Sequence, residues 1–432
     1  MIFVLAGIAI ITIAGLFNLT GGKKSKKSEP GIARTYDATL TGKNIACYAA
    51  SVKDSPQNAI GYNLLAQAYL LRSRETGDIG DVERASLSAQ HSLAIRTNNN
   101  QAAAYTLAQT YIVQHRFREA LQTLQKFGMI SPGSSAACLA VEILIELGEY
   151  DKARESLRKN VDNFDSIPAR TIRARLAELE GRTASAIALI RSVQQKTDQN
   201  LDMPNESVAW FHLREADLLA LSGDLENSKK AYLVALSIFP NNFKALSGLA
   251  KLTYSHENWD EAIKWATQSI SIVPNPEIVA LLGDAYKAKN MNQEAESQYR
   301  LLESMAQISR SQGVLFDRQR SVYLSDHKLK LTEAISLARK ELKIRKDIYA
   351  FDTLAWALYQ NGSIKEASAM MKNALKEGTE DARLFYHASL IAMAMGEEDS
   401  AKFFSKSAKN LNPNLKPLAA KEAYRLLNQY KI

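Results

Sequence analysis

One pattern governs this chain: small and apolar side chains return in the same order every 33 to 34 residues. Leu107, Ala108, Tyr111, Ala120 and Pro132 set the frame, with steps of one, three, nine and twelve. The same steps recur in Leu249, Ala250, Ala262 and Pro274, in Leu282, Gly283, Tyr286 and Ala295, in Leu354, Ala355, Leu358 and Ala367, and in Ala388, Ser389, Ala392, Ala401 and Pro413. Ser228 and Pro240 keep the last step, while Gly148 with Ala153 and Gly181 with Ala186 keep the distance from a helix-ending glycine to the next small residue. Steps of three and four place side chains on one helix face, small residues let a second helix approach, and proline after that helix forbids its continuation. So short a pair of helices cannot bury its apolar face alone. Each unit must complete its core with its neighbours.

Composition fits helices from end to end. Of 432 residues, 46% are hydrophobic and 23% charged, and Gly and Pro collect at punctuation points such as FPNN, VPNP and LNPN. No sustained alternation of Val, Ile or Thr reads as a strand. Cys47 and Cys138 make neither a disulfide framework nor a metal spacing, and each is expected to be a small apolar residue within a helix.

The repeated residues resemble the tetratricopeptide repeat, a helix-turn-helix unit of 34 residues. The resemblance covers residues 59 to 414, some ten units. It implies an all-α, right-handed α-solenoid whose first helices line a concave surface and whose second helices form the convex one. Three irregularities interrupt the frame: an insertion RETGDIGDVERA between the helices of the first unit, a spacer KTDQNLDMPNES after the fourth, and a long second helix, SQYRLLESMAQISRSQG, in the seventh. Residues 415–432, with LKPLAAKEAYRLLNQY, read as the amphipathic cap an open stack requires.

The amino-terminal stretch is different in kind. Residues 1–20 begin MIFVLAGIAIITIAGLFNL, uncharged and about 28 Å long as a helix, and read as a transmembrane helix. Residues 21–43 form a basic juxtamembrane linker and residues 44–58 a lead-in helix. Lys23, Lys24, Lys26 and Lys27 follow the apolar run, so charge bias predicts a single-pass membrane protein with its repeats in the cytoplasm, a periplasmic placement being the alternative. The formal charge of +8 includes those four lysines; the other basic residues are interspersed with Asp and Glu. That distribution reads as a solvated surface rather than a phosphate track.

The segment YAFDTLAWALYQNG, residues 349 to 362, carries two apolar stripes. Phe351, Leu354, Ala355 and Leu358 form one, which is assigned to the core; Tyr349, Asp352, Trp356 and Tyr359 form the other. On the tetratricopeptide resemblance the second stripe points into the concave groove, with Phe316, Arg320 and Tyr323 from the eighth unit and Arg383, Tyr386 and His387 from the tenth. Trp, Tyr and Arg dominate binding hot spots, so these ten residues are the expected partner-binding wall. Trp210, Arg214 and Asp217 form a smaller second patch. Family members that clamp acidic carboxy-terminal peptides use a Lys in their first helices. Asn63, Gln67, Tyr105, Gln109, Cys138 and Glu142 stand at such places here without it.

Chemistry is not apparent in the pattern. None of His91, His115, His212, His256, His327 or His387 stands at a metal-ligand spacing, GDIGD lacks the alternating carboxylates of a calcium loop, and no phosphate-cradling glycine loop or serine elbow occurs. The expectation is therefore a non-enzymatic, membrane-anchored protein-interaction scaffold without a cofactor, whose partner is a protein rather than a nucleic acid. An RNA-binding helical repeat and an accessory subunit of an envelope biogenesis complex are the alternatives.

Overall fold

The computed structural model describes residues 36–312 and 317–412. The described residues form twenty-one α-helices and no strand. A leading helix, α1 (Leu40–Asp54), precedes ten helical hairpins. The first five are α2 (Ala59–Thr76) with α3 (Ile79–Ile95), α4 (Gln101–Val113) with α5 (Phe117–Lys126), α6 (Ser135–Glu146) with α7 (Tyr150–Asn160), α8 (Ile167–Leu179) with α9 (Thr183–Thr197), and α10 (Asn205–Leu221) with α11 (Leu225–Ile238). The others are α12 (Phe243–Ser255) with α13 (Trp259–Ile272), α14 (Pro276–Ala288) with α15 (Asn292–Gln312), α16 (Asp317–Asp326) with α17 (Leu331–Ile344), α18 (Ile348–Gln360) with α19 (Ile364–Ala374), and α20 (Ala382–Ala394) with α21 (Glu398–Leu411). First helices begin 31 to 42 residues apart.

The small residues of the repeat sit where the helices cross. Ala108, Ala120, Ala250, Ala262, Ala355, Ala367 and Ala401 have no accessible surface, as close helix approach requires. Each hairpin also turns through a left-handed residue between its two helices. Gly77, Gly148, Gly181, Gly223, Gly362 and Gly396 supply it in six units, and His115, Glu257, Asn290 and Lys328 in the other four. That conformation satisfies the carbonyls at the end of the first helix and reverses the chain at once.

One sequence irregularity resolves differently from expectation, and the long second helix of the seventh unit is found as expected. RETGDIGDVERA is not an inserted loop: α2 runs to Thr76 and α3 starts at Ile79, so the additional residues lengthen both helices. Asp81, wholly buried, holds them together by accepting from Arg72 Nε at 2.6 Å and from Arg84 Nη1 at 2.6 Å. Helix α15 is long, with 21 residues. The helix ahead of the repeats begins at Leu40, inside the stretch assigned to the linker. The apolar run 1–20, most of the basic linker, Phe316 and the cap 415–432 lie outside the described residues. No described helix is long and apolar enough to cross a membrane.

The chain divides into two compact units. The first comprises Met1–Arg173, Leu189–His212 and Val234–Asn242; the second comprises Ala174–Ala188, Leu213–Leu233 and Phe243–Ile432. In the first, Tyr105, Ile112, Phe117, Leu124, Leu139 and Ile143 make one core across α4, α5 and α6. Residues distant in sequence also meet within this unit: Arg74 Nε donates to Glu206 at 3.1 Å, and the Tyr36 ring meets Phe239 edge-on at 5.2 Å.

The second unit has a comparable core from Leu354, Leu358, Met371, Leu384 and Ile391. It also folds back on itself. The Thr379 hydroxyl donates to the Leu179 carbonyl, and a Cβ on Gly181 would lie 2.5 Å from the Gly378 carbonyl oxygen. The turn at Gly223 lies as closely against the Leu411 carbonyl.

Candidate interaction surface

Within the second unit, first helices pack on first helices, α12 on α14, α14 on α16, α16 on α18 and α18 on α20. Their shared face carries the residues that the second stripe of α18 singled out. Asp347 starts α18 by accepting from the amides of Tyr349 and Ala350 at 2.9 and 3.0 Å, a side-chain cap that satisfies donors the first turn leaves unpaired. Asp347 also accepts from Arg318 at 2.7 Å and lies 2.6 Å from Arg345, all three buried. Burial opposes ionisation of Asp347, but the two guanidiniums and the capped amides outweigh it and hold the carboxyl at about 2.

The aromatic stripe is not an open wall. Trp356 is 2% exposed; its indole stacks on His387 of α20 at 4.1 Å and on Tyr359 at 5.4 Å, and Nε1 donates to Asp326 of α16 at 2.7 Å. His387 is 2% exposed and bonds Asp352 at 2.8 Å. Tyr386 is buried with them, and Tyr349 is buried as well. Trp356 thus staples three successive first helices, and its payload of apolar area is spent inside the chain. The expectation that Trp356, Asp352, Tyr349, Tyr386 and His387 present themselves to a partner is corrected accordingly: α18 is covered on both of its apolar faces.

The remaining residues of that set fare differently. Arg320 is largely covered and pairs with Glu333 at 2.8 Å and Glu303 at 3.4 Å. Tyr323 and Tyr359 are half-buried. Arg383 keeps its side chain 38% exposed and lies 3.9 Å from Asp326, itself 30% exposed. Trp210 is buried edge-on against Phe211 in the first unit. Arg214 and Asp217 belong to the second. There Arg214 pairs with buried Glu178, and Asp217 accepts from the Tyr232 hydroxyl at 2.8 Å.

Beside Arg383, the first-helix face offers charged side chains outside the expected wall. Lys251 of α12 and Glu277 of α14, 30% and 31% exposed, pair at 2.8 Å. Burial works against the charge on Glu277, yet Lys251 first and Arg383 among the lesser causes hold its carboxyl down to about 2. Glu277 and Arg383 stand on first helices separated by two hairpins of the same unit. A recurrent signal was available: a Tyr fifteen residues after an Asp, its hydroxyl on that carboxylate, occurs as Asp217 with Tyr232 and as Asp284 with Tyr299. No group of His, Cys, Asp and Glu that could hold a metal occurs among the described residues.

Comparison with known proteins is consistent with this architecture. The profile of the family described as anaphase-promoting complex, cyclosome, subunit 3 matches residues 79–160, which run from the start of α3 to the end of α7. No curated protein matches. Among solved structures, the APC/C hetero-tetramer Cut9–Hcn1 aligns at 12% identity over 90% of this chain and 94% of that one, with a TM-score of 0.33. PilF of Pseudomonas aeruginosa aligns at 16% identity over 51% of this chain and 98% of its own, with a TM-score of 0.28. The TPR domain of P58(IPK) aligns at 14% over 91% and 95%, with a TM-score of 0.27. Scores this low carry no argument. The profile match and the chain's own ten hairpins make the repeats tetratricopeptide-like.

Proposed function

We propose that this protein is a non-catalytic scaffold that holds a segment of a partner protein against the first-helix face of its second unit. One observation carries the reading: Lys251, Glu277, Asp326 and Arg383 stay about a third exposed on the face where first helix packs on first helix, while Trp356, Tyr349 and Tyr386 beside them are packed. Polar groups already held in place by one another lose little entropy when a chain lies along them. Tetratricopeptide-like repeats commonly mediate contacts between proteins, and the profile match on residues 79–160 supports the same class of role.

The apolar run 1–20 followed by Lys23, Lys24, Lys26 and Lys27 supports attachment to a membrane, with the repeats on the side of the lysines. Proximity labelling in the native host, with the full chain fused to a labelling enzyme, tests both parts. The scaffold reading predicts a small set of neighbours that the charge-reversed pair Lys251→Glu and Arg383→Glu loses while helical content is unchanged. An identical neighbour set in wild type and variant would overturn the assignment of this face.

A further inference from the structure

Three tyrosine rings and one imidazole gather around two carboxylates where α12, α14, α15 and α16 meet in the second unit. Asp284 is the hub, accepting from the Tyr299 hydroxyl at 2.7 Å and from His327 Nε2 at 2.9 Å. The ring of Tyr323 lies 4.5 Å from His327 and 6.3 Å from Tyr299, and Tyr299 meets His327 edge-on at 6.1 Å. Tyr254 feels the charge of both Asp284 and Asp326. All six side chains remain partly exposed. Burial first, and Asp284 second, push the hydroxyls of Tyr254, Tyr299 and Tyr323 up, that of Tyr323 to about 12. The rings therefore stay neutral, and each keeps part of its surface exposed beside its ring and core neighbours.

We propose that this aromatic and carboxylate cluster receives a lysine or arginine side chain of the partner, held by the ring faces and by Asp284 and Asp326. The inference rests on the scaffold reading and specifies the chemistry of its ligand. Rings with a carboxylate behind them attract ammonium and guanidinium groups through the ring quadrupole and the full charge together. Glu257 and Glu296 lie close enough to raise the tyrosines further. The nearby cations are already engaged: Arg320 with Glu333 and Glu303, Lys330 with Glu303 at 3.7 Å, and Arg383 toward Asp326.

His327 gives the cluster a built-in rival. Its Nδ1 faces the Tyr323 carbonyl at 2.9 Å while Nε2 faces Asp284, so both ring nitrogens point at acceptors and the imidazolium satisfies them both. Asp284, Tyr299, Tyr323 and Asp326 surround it. A charged His327 offsets Asp284, and its deprotonation frees that carboxylate for an incoming cation.

The test is a fluorescence-anisotropy titration of the full chain with fluorescein-labelled oligolysine and matched oligoglutamine. The proposal predicts binding of oligolysine over oligoglutamine, weakened about threefold to thirtyfold by Tyr323→Leu and by the isosteric Asp284→Asn, retained by Tyr323→Phe, and untouched by Glu398→Gln on α21. It also predicts tighter binding at about pH 8 than at about pH 6, a difference that His327→Gln abolishes. Equal affinity of wild type and helical Tyr323→Leu overturns it. So does a Glu398→Gln loss matching that of Asp284→Asn, which would reveal diffuse attraction. Should Tyr323→Leu fail to fold, loss of binding in Tyr323→Phe or an unchanged affinity between the two pH values overturns it instead. Failure here with intact neighbour loss in the charge-reversed pair would refute the cation site alone and leave the scaffold reading standing.

Discussion

At the scale of single residues, Trp356 shows how a side chain suited to binding can be committed to folding. Its indole stacks on His387 and on Tyr359, and its N–H is satisfied by Asp326. Trp356→Ala is expected to cost about 3 to 5 kcal/mol in urea unfolding, and Trp356→Phe about 1 to 3 because Asp326 loses its donor. Glu75 makes a second residue-scale case. It accepts from Thr41 at 3.0 Å, and burial first, with the charge of Glu206 behind it, pushes its carboxyl up to about 7. A carboxyl raised in the folded state keeps a proton that the unfolded chain releases, so stability falls as pH rises from about 4.5 to about 7. Glu75→Gln should flatten that fall, gaining about 1 to 2 kcal/mol at about pH 8 relative to wild type in paired melts. A helical wheel could mark Trp356 and its stripe as apolar, since that depends only on 3.6-residue geometry. It could not say that His387 would stack on the ring and Asp326 accept its N–H, each about thirty residues away.

At the scale of the hairpin, the chain repeats a turn more faithfully than it repeats a residue. The left-handed position recurs in every unit, yet His115, Glu257, Asn290 and Lys328 fill it as well as glycine does. Side chains other than Gly and Asn pay about 1 kcal/mol there. His115→Gly and Glu257→Gly are thus each expected to raise stability by about 0.5 to 1 kcal/mol, measured by thermal unfolding. Gly181→Ala should do the opposite, because its Cβ meets the Gly378 carbonyl oxygen as well as a φ of 69°. The repeat frame was legible because close helix crossings admit only small residues, so Ala108, Ala250, Ala355 and their partners stand out at fixed spacing. The fate of RETGDIGDVERA was not legible. Its Gly-rich centre marks the turn, but the extension of both helices depends on Arg72 and Arg84 converging on buried Asp81, a contact formed only once α2 and α3 lie together.

At the scale of the whole chain, an excess of eight positive charges coexists with a first-helix face in the second unit where Lys251, Glu277, Asp326 and Arg383 balance one another. Such mixed charges offer no continuous phosphate track, and a gel-shift titration with single-stranded RNA should show no retardation at physiological salt. Of the wall expected on α16, α18 and α20, Tyr349, Asp352, Trp356, Tyr386 and His387 are buried. Trp356, Tyr349 and Tyr386 fill the space between adjacent first helices, while Arg383 and Asp326 keep about a third of their side chains exposed. The scaffold account stands most directly on where a partner touches the chain. A photo-crosslinking amino acid placed singly at Tyr359, at Arg383 and at Phe403, the last 63% exposed on the second helix α21, would report it in the native host. The account predicts a discrete protein adduct from positions 359 and 383 and none from 403; adducts of equal yield from all three, or none from the first two, would contradict it.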